Sequence, residues 1–469
     1  MTTTTANYTD LPAALLRGAD WQKLVDDLAA KHQVPGVTVG VLQLTNDGGA
    51  DIRQIHSGVA SLKTGVEVTD DTLHQFGSIT KAFTATLIMQ LLDEGLLTHD
   101  TPVVQLLPDF TLADAEAAKK ITVGHLLSHT SGIDGDLFFE TGDNDDCVEK
   151  YVDLLSTATL TSRTGGPLSY CNAGYVLLGR IVEVLRGTVW DQALADHIFT
   201  PLGLENIITK AKDAPLYRTA VGHIPTGQEA PKYAPAPVWS LTRSLGPAGL
   251  ITGTATSLLT WAAANLRDGL GLNGARILSD ESARLMRERR ADLTGLNSIT
   301  TGWASGWLLE KWGSETAVGH DGTTLGQAAF LDMFPARGLA IAVLGNSPGT
   351  PAFEREFKAA VAAELGLTAP DEDPVDYGIP MDADAIIGTY ESATQRFVLT
   401  DPGDGNLAVR LSPKSALGGV ESAAEIAVMR PNGPDRFITE LLGYVLELSI
   451  VRDDDKQYLY MSRLFEKVA

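Results

Sequence analysis

Residues 76–88 read F-G-S-I-T-K-A-F-T-A-T-L-I. A glycine and a serine open an apolar run with helical spacing, and a lysine stands three positions after the serine. Burying a lysine costs free energy unless a partner takes up its charge or its proton. Two readings are open. Ser78 caps the helix while the Lys81 stem lies along apolar surface, or the two face each other for a chemical reason. At i, i+3 spacing they share a face. The positive end of the helix favours a negative charge developing on Ser78, and burial would lower the lysine pKa and ready it to accept a proton. Ser78-Ile79-Thr80-Lys81 is the only Ser-x-x-Lys in the chain. Because about one such spacing is expected by chance in a chain this long, its surroundings have to decide.

Outward from this run, helix-like and strand-like pieces alternate. Residues 20–32 read as a helix and 36–44 as a strand. Residues 80–95 are apolar around most of a helix, which predicts burial. A short helix is expected over 122–132, ending at Gly132, and another over 172–187. Residues 249–266 read as a strand or turn followed by a helix, 326–347 as two strands joined at Pro335–Gly338, and 352–366 as a closing helix. This order predicts an α/β (α+β) domain over 1–366, with a central sheet and a helical subdomain. The Pro- and Asp-rich stretch 367–382 reads as a linker. Beyond it, QRFVLT, NLAVRL, AEIAVMRP, DRFITE, YVLELSIVRD and KQYLYMSRLF are short alternating segments split by turn residues. They predict a small antiparallel β-barrel over 383–469.

The bulk properties narrow the partners. The chain has 469 residues, 44% of them hydrophobic, with 59 acidic and 36 basic side chains and a formal charge of −23. That balance disfavours nucleic acid, anionic membranes and polyanionic substrates. Two cysteines, Cys147 and Cys171, make neither a disulfide framework nor a zinc site; two reduced thiols are the favoured reading and a single bridge between them is the alternative. The start, MTTTTANYTDLPAALLRGADWQ, lacks the pattern of a signal peptide, and no run approaches the roughly 20 apolar residues of a membrane span. A cytoplasmic location is the expectation. Oligomeric state stays open, a homo-oligomer included.

Two further stretches accompany the Ser-x-x-Lys. In L-S-Y-C-N-A-G-Y (168–175), Tyr170 and Asn172 stand two apart before a helix, so in extended backbone a phenol and an amide would project together. The alternative is a bonded buried tyrosine and an asparagine cap. In G-H-D-G-T-T-L-G-Q (319–327), His320-Asp321-Gly322 is expected just before a strand, with Gly322 allowing a close backbone approach. An ordinary turn is the alternative.

Together, Ser-x-x-Lys, Tyr-x-Asn and His-x-Gly in this order resemble the serine acyl-transferase superfamily of class C β-lactamases, DD-peptidases and family VIII esterases, D-aminopeptidases and penicillin-binding-protein-type thioesterases included. The stretches ITVGHLLSHTSGI, PLSYCNAGYVLLGRIVE and GPAGLITGTATSLLTWAAANL are similar to its recurring text, and the resemblance runs over about 20–365. It implies a β-lactamase/transpeptidase-like fold and a serine hydrolase working on a small-molecule or peptide substrate without metal or cofactor. Ser78 would be the acylated nucleophile and Lys81 would assist its deprotonation. Tyr170 would be the general base and would protonate the leaving group. Asn172 would place the substrate amide and Lys81, His320 and Gly322 would line the site, and the backbone N–H groups of Ser78 and Thr323 would form the oxyanion hole. His129 lies in a stretch that the resemblance makes structural.

The third motif departs from the Lys-Thr-Gly of most penicillin-recognising relatives. A histidine is mostly neutral at pH 7, and Asp321 adds negative charge, which weakens recognition of an anionic β-lactam or peptide terminus. With a barrel that looks lipocalin-like, this favours an esterase or D-aminopeptidase-like activity. A β-lactamase, a DD-carboxypeptidase, an acyltransferase or thioesterase-type cyclase, and a non-catalytic binding relative are the alternatives. Residues 138–147 (FFETGDNDDC) form either an acidic lip or solvated surface.

Overall fold

The strand Gly36–Leu44 (β1) is buried at every position. Val37, Val39 and Val41 belong to one apolar cluster and Leu42 and Leu44 to another. Alternate side chains of a strand face opposite sides, so β1 lies in a sheet covered on both faces. That sheet, seen in a computed structural model that describes residues 8–468 apart from 13, 228–231, 298, 371–381, 404–405, 415–424, 434 and 442–443, has eight strands. They are β1, β2 (Ala50–Gly58), β3 (Ala291–Asp292), β4 (Thr300–Trp303), β5 (Leu308–Trp312), β6 (Glu315–Thr323), β7 (Ala328–Phe334) and β8 (Leu339–Gly345), in the order β2-β1-β8-β7-β6-β5-β4-β3. Neighbours are antiparallel throughout.

Five helices frame the sheet and the serine turn: α1 (Ala19–Lys31), α2 (Thr80–Asp93), α3 (Asn172–Arg186), α4 (Ala255–Leu266) and α5 (Thr350–Leu365). Trp21 of α1 and Phe353 and Phe357 of α5 cover the face that holds Val39 and Ile341. On the other face α4 packs against the sheet, and α2 and α3 build the helical layer in the same cluster. As its composition predicts, α2 is buried at each residue from Thr80 to Leu91. Most sequence-level elements hold within a residue or two. Two differ. The helix expected to run to Gly132 spans only Val123–Leu127, because His129 takes a left-handed φ of 57° and the chain turns away. His320-Asp321-Gly322 does not precede a strand but lies within β6.

The C-terminal region is a closed barrel of eight strands. They are β9 (Gly388–Glu391), β10 (Gln395–Thr400), β11 (Leu407–Pro413), β12 (Glu425–Pro431), β13 (Arg436–Leu441), β14 (Tyr444–Asp453), β15 (Lys456–Tyr460) and β16 (Leu464–Lys467). Tyr390, Phe397, Leu448, Leu459 and Phe465 are among the side chains of its core. Most of the stretch expected as a linker lies outside the described residues. KQYLYMSRLF, read as one strand, is two: the chain reverses at Met461–Arg463, where Ser462 adopts φ 52°. That hairpin, β15–β16, is the part of the barrel that reaches Ser169 and Tyr170.

Among the described residues no helix is long and apolar enough to cross a membrane. Cys147 and Cys171 are both buried and unbridged.

Candidate active site

Ser78 sits in a short 3-10 turn, Gly77–Ile79, that runs into α2. Gly77 has φ 52°, and a Cβ on it would stand 2.8 Å from the Thr323 nitrogen. On β6, a Cβ on Gly322 would meet the Phe76 carbonyl oxygen at 1.9 Å and the Ser78 nitrogen at 2.7 Å. Only glycines permit this backbone-to-backbone approach. It seats the Thr323 nitrogen against Gly77, one residue from Ser78; the Ser78 and Thr323 N–H groups are the two backbone donors expected to face an oxyanion.

Lys81 is fully buried. Its Nζ donates to Ser78 Oγ at 3.0 Å and to the Ala248 carbonyl at 2.7 Å, and lies 4.9 Å from the centre of the Tyr170 ring. Burial holds the ammonium well below its ordinary pKa, and the Arg463 charge adds to that. The expectation that Asn172 also holds Lys81 is corrected: Asn172 Nδ2 donates to Asp136 Oδ1 at 3.0 Å, and Ala248 takes the second place on the lysine. Burial raises the Tyr170 phenol above its usual value, against the pull of Ser78 and Arg463. Burial thus favours the uncharged form of both Lys81 and Tyr170.

Tyr170 and Asn172 both line the cavity above Ser78, although Asn172 is the first residue of α3 and Cys171, not Asn172, caps that helix through Sγ at 3.2 Å from Gly174 N. His129 stacks on the Tyr170 ring at 4.4 Å between centroids. Its Nδ1 accepts the Cys171 N–H at 2.9 Å, and its carbonyl accepts the Ser169 N–H. Burial first, then Lys81, His320 and Arg463, keeps its imidazole neutral. Trp303 stands edge-on to His129, Tyr170 and His320. His320 is buried, and burial, helped by Lys81, lowers its pKa to about 3. It is a neutral wall, not a cation.

The barrel closes the other side. The Tyr170 N–H donates to the Ser462 carbonyl at 2.8 Å, and the Leu464 N–H donates to Ser169 Oγ at 3.1 Å. Arg463 places its guanidinium carbon 5.0 Å from the Tyr170 ring centre. Its Nη2 donates to Asp136 Oδ1 at 3.1 Å and its Nε pairs with the other carboxylate oxygen. Asp136 thus joins Asn172 to Arg463. Asp134, two residues earlier, accepts the Ala393 N–H of the β9–β10 turn at 2.7 Å. The resulting cavity has a volume of about 650 Å³, and Leu446, Glu447 and Tyr460 of the barrel share its wall with Ser78, Thr323 and Trp303.

The structure brings Ser78, Lys81, Tyr170, Asn172, His320, Gly322 and Thr323 together around this cavity. Sequence reasoning did not find Asp136, Trp303, Ser462 or Arg463, and it set His129 aside. For His129 the SHTSG text was a signal; for Arg463 none existed, since nothing marks a turn in KQYLYMSRLF. Of the acidic stretch 138–147, Phe138 lines the cavity, whereas Asp145 pairs with Arg243, which also binds Asp191.

Known proteins share this architecture. Residues 21–365 match the family described as Beta-lactamase. The chain is 41% identical over 381 residues to Penicillin-binding protein 4 of Amycolatopsis lactamdurans, spanning 80% of this chain and 97% of that one. Its fold is similar to that of SurE, with a TM-score of 0.76, 26% identity and coverage of 95% and 98% of the two chains. A second SurE structure, with D-Leu, matches at TM-score 0.74 and 25% identity over 95% and 98%. The D-amino acid amidase of Ochrobactrum anthropi SV3 matches at TM-score 0.59 and 25% identity over 73% and 95%.

Proposed function

Because the chain belongs to the Beta-lactamase family, we propose that it is a serine hydrolase cleaving ester or amide bonds of small acyl or peptide substrates, D-amino-acid derivatives among them, through an acyl-Ser78 intermediate. The observation that carries this reading is the 3.0 Å bond from the buried Lys81 to Ser78 Oγ at the floor of an open cavity. As Oγ attacks the carbonyl carbon, its proton passes to Lys81, and the new oxyanion lies against the Ser78 and Thr323 N–H groups. Tyr170 acts as relay: its hydroxyl gives a proton to the departing amine or alcohol and regains one from Lys81. Water then cleaves the acyl-enzyme by the reverse proton path. If an amine reaches the acyl group first, the same site transfers or cyclises. The likeness to SurE, which extends through the barrel, and the D-Leu held by that protein support a substrate with a D-configured residue.

The 41% identity to Penicillin-binding protein 4 favours a second reading, acylation of Ser78 by a β-lactam. The neutral His320 counts against it, since it offers no fixed charge to a β-lactam carboxylate. Turnover of a D-alanyl anilide and of a short-chain nitrophenyl ester, with S78A as blank, and labelling by a fluorescent penicillin separate the readings. Cleavage of anilide or ester that vanishes in S78A supports the first. A stable penicillin adduct on Ser78 without turnover of either supports the second. Turnover that survives in S78A would overturn both.

A further inference from the structure

Lys81 is held toward its neutral form and His320 is neutral, so neither α2 nor β6 provides a fixed positive charge at the cavity floor. Among the described residues that line the cavity, one carries a lysine or arginine side chain, and it comes from the barrel: Arg463. An arginine keeps its charge at any working pH. Its guanidinium carbon and the Lys81 nitrogen lie 5.0 and 4.9 Å from the same Tyr170 ring centre. The Asp136 carboxylate and the Ser462 backbone fix that position.

We propose that Arg463 is a positioning residue for acylation: the barrel inserts it so that its permanent charge over Tyr170 favours the form of the Ser78–Lys81–Tyr170 group that has given up a proton. The inference rests on the acyl-serine reading of the site. The groups facing this trio are His129, Asp136 and Cys171 from the loop before α3 and its approach, Tyr175 from α3, His320 and Asp321 from β6, and Arg463 from the β15–β16 hairpin. The histidines are neutral and the thiol and Tyr175 are held protonated by burial. The permanent charges that oppose one another beside Tyr170 are therefore Arg463 and the two carboxylates, Asp136 and Asp321, while Glu447 of β14 shares the cavity wall and pairs with Arg436. A nearby cation makes a proton easier to lose, and a carboxylate makes it harder. Arg463 and Asp136 act on Lys81 and on Tyr170 in these opposite senses. The effect falls on the coupled trio, whichever member holds the proton.

The test is the pH dependence of kcat/KM, which reports the free enzyme, on an uncharged nitrophenyl ester with wild type, R463Q, R463K and D136N, and S78A as blank. The rising limb should move to higher pH by about one unit or more in R463Q, stay near its wild-type position in R463K, and move to lower pH in D136N. A limb that does not move in R463Q overturns the proposal. So does a loss confined to substrates bearing a carboxylate, which would make Arg463 a reader of substrate. If R463Q does not fold, R463M takes its place with the same two outcomes: a limb that moves up supports the proposal and an unmoved one overturns it. Equal turnover by wild type and S78A would instead sink the acyl-serine reading, while a dead S78A with an unmoved limb sinks only the role of Arg463.

Discussion

The turn at Gly77–Lys81 and the hairpin at Met461–Arg463 meet across one cavity and are held there in different ways. The turn is locked from within its own domain. Two glycines let it touch β6, and α2 is buried on every side below it. Nothing at that point has freedom to move without opening the core. The hairpin arrives from a second domain: Tyr458, Tyr460 and Leu464 pack against Leu168, Leu293 and Trp303, and its apex is fixed by hydrogen bonds to the Ser169 hydroxyl and the Tyr170 N–H and by an ion pair to Asp136. On the proposed mechanism the first supplies the reacting atoms. The second supplies charge and orientation to the residue beside them. Chemistry that must be in place to within tenths of an ångström is built on packed elements, and what adjusts that chemistry is delivered through a loop.

Substitutions on the two sides should break this contrast by unequal amounts. Lys81→Ala should lower the acylation rate by about 10²- to 10⁴-fold, and Lys81→Arg should not restore it because arginine keeps its proton. Stopped-flow release of nitrophenol from the ester checks both. Gly322→Ala should lower kcat by about 10²- to 10³-fold, since its methyl would meet the Phe76 carbonyl at 1.9 Å and push Thr323 away from Ser78. The same change should lower Tm, so both are measured. On the hairpin side, Ser169→Ala leaves the Leu464 N–H without its acceptor. A buried donor stripped of its partner costs about 1–3 kcal/mol, which denaturant melts would show, while activity should fall only several-fold. Arg163 pairs with Asp453 on an exposed rim between the domains. Arg163→Ala should change neither Tm nor turnover measurably. If it did as much as Ser169→Ala, the idea that the hairpin apex carries the coupling would be wrong.

The same contrast explains what the sequence revealed. Ser78 and Lys81 were legible because their relation is local: an i, i+3 pair in an apolar helix poses its question within four residues. Gly322 was legible as a close approach, though not as part of a strand. Tyr170 and Asn172 were found as a pair, but the partner of Asn172 was not, because Asp136 stands 36 residues earlier, with the helix Cys147–Leu154 between them in the chain. Arg463 was invisible for two physical reasons. Ser462 takes a left-handed conformation with no glycine, asparagine or proline to announce it. The charge that holds Arg463 stands 327 residues away in sequence. The barrel as a class was readable from its alternation; which of its turns touch the other domain was not, since nothing in the composition of Met461-Ser462-Arg463 or of Ser392-Ala393-Thr394 sets them apart and only docking chooses among turns.

The hydrogen bond from Tyr170 to Ser462 also sets an order in time. Ser78 leaves the ribosome first, and Ser462 emerges only after most of the chain has been made. Synthesis at roughly 5–20 residues per second separates the two, 462 − 78 = 384 residues apart, by about 20–80 s. Throughout that interval the nucleophile exists without the backbone bond that seats its tyrosine partner. On the proposed mechanism the last hairpin of the barrel is an arming step, and a half-made chain carries a serine whose tyrosine partner is not yet seated.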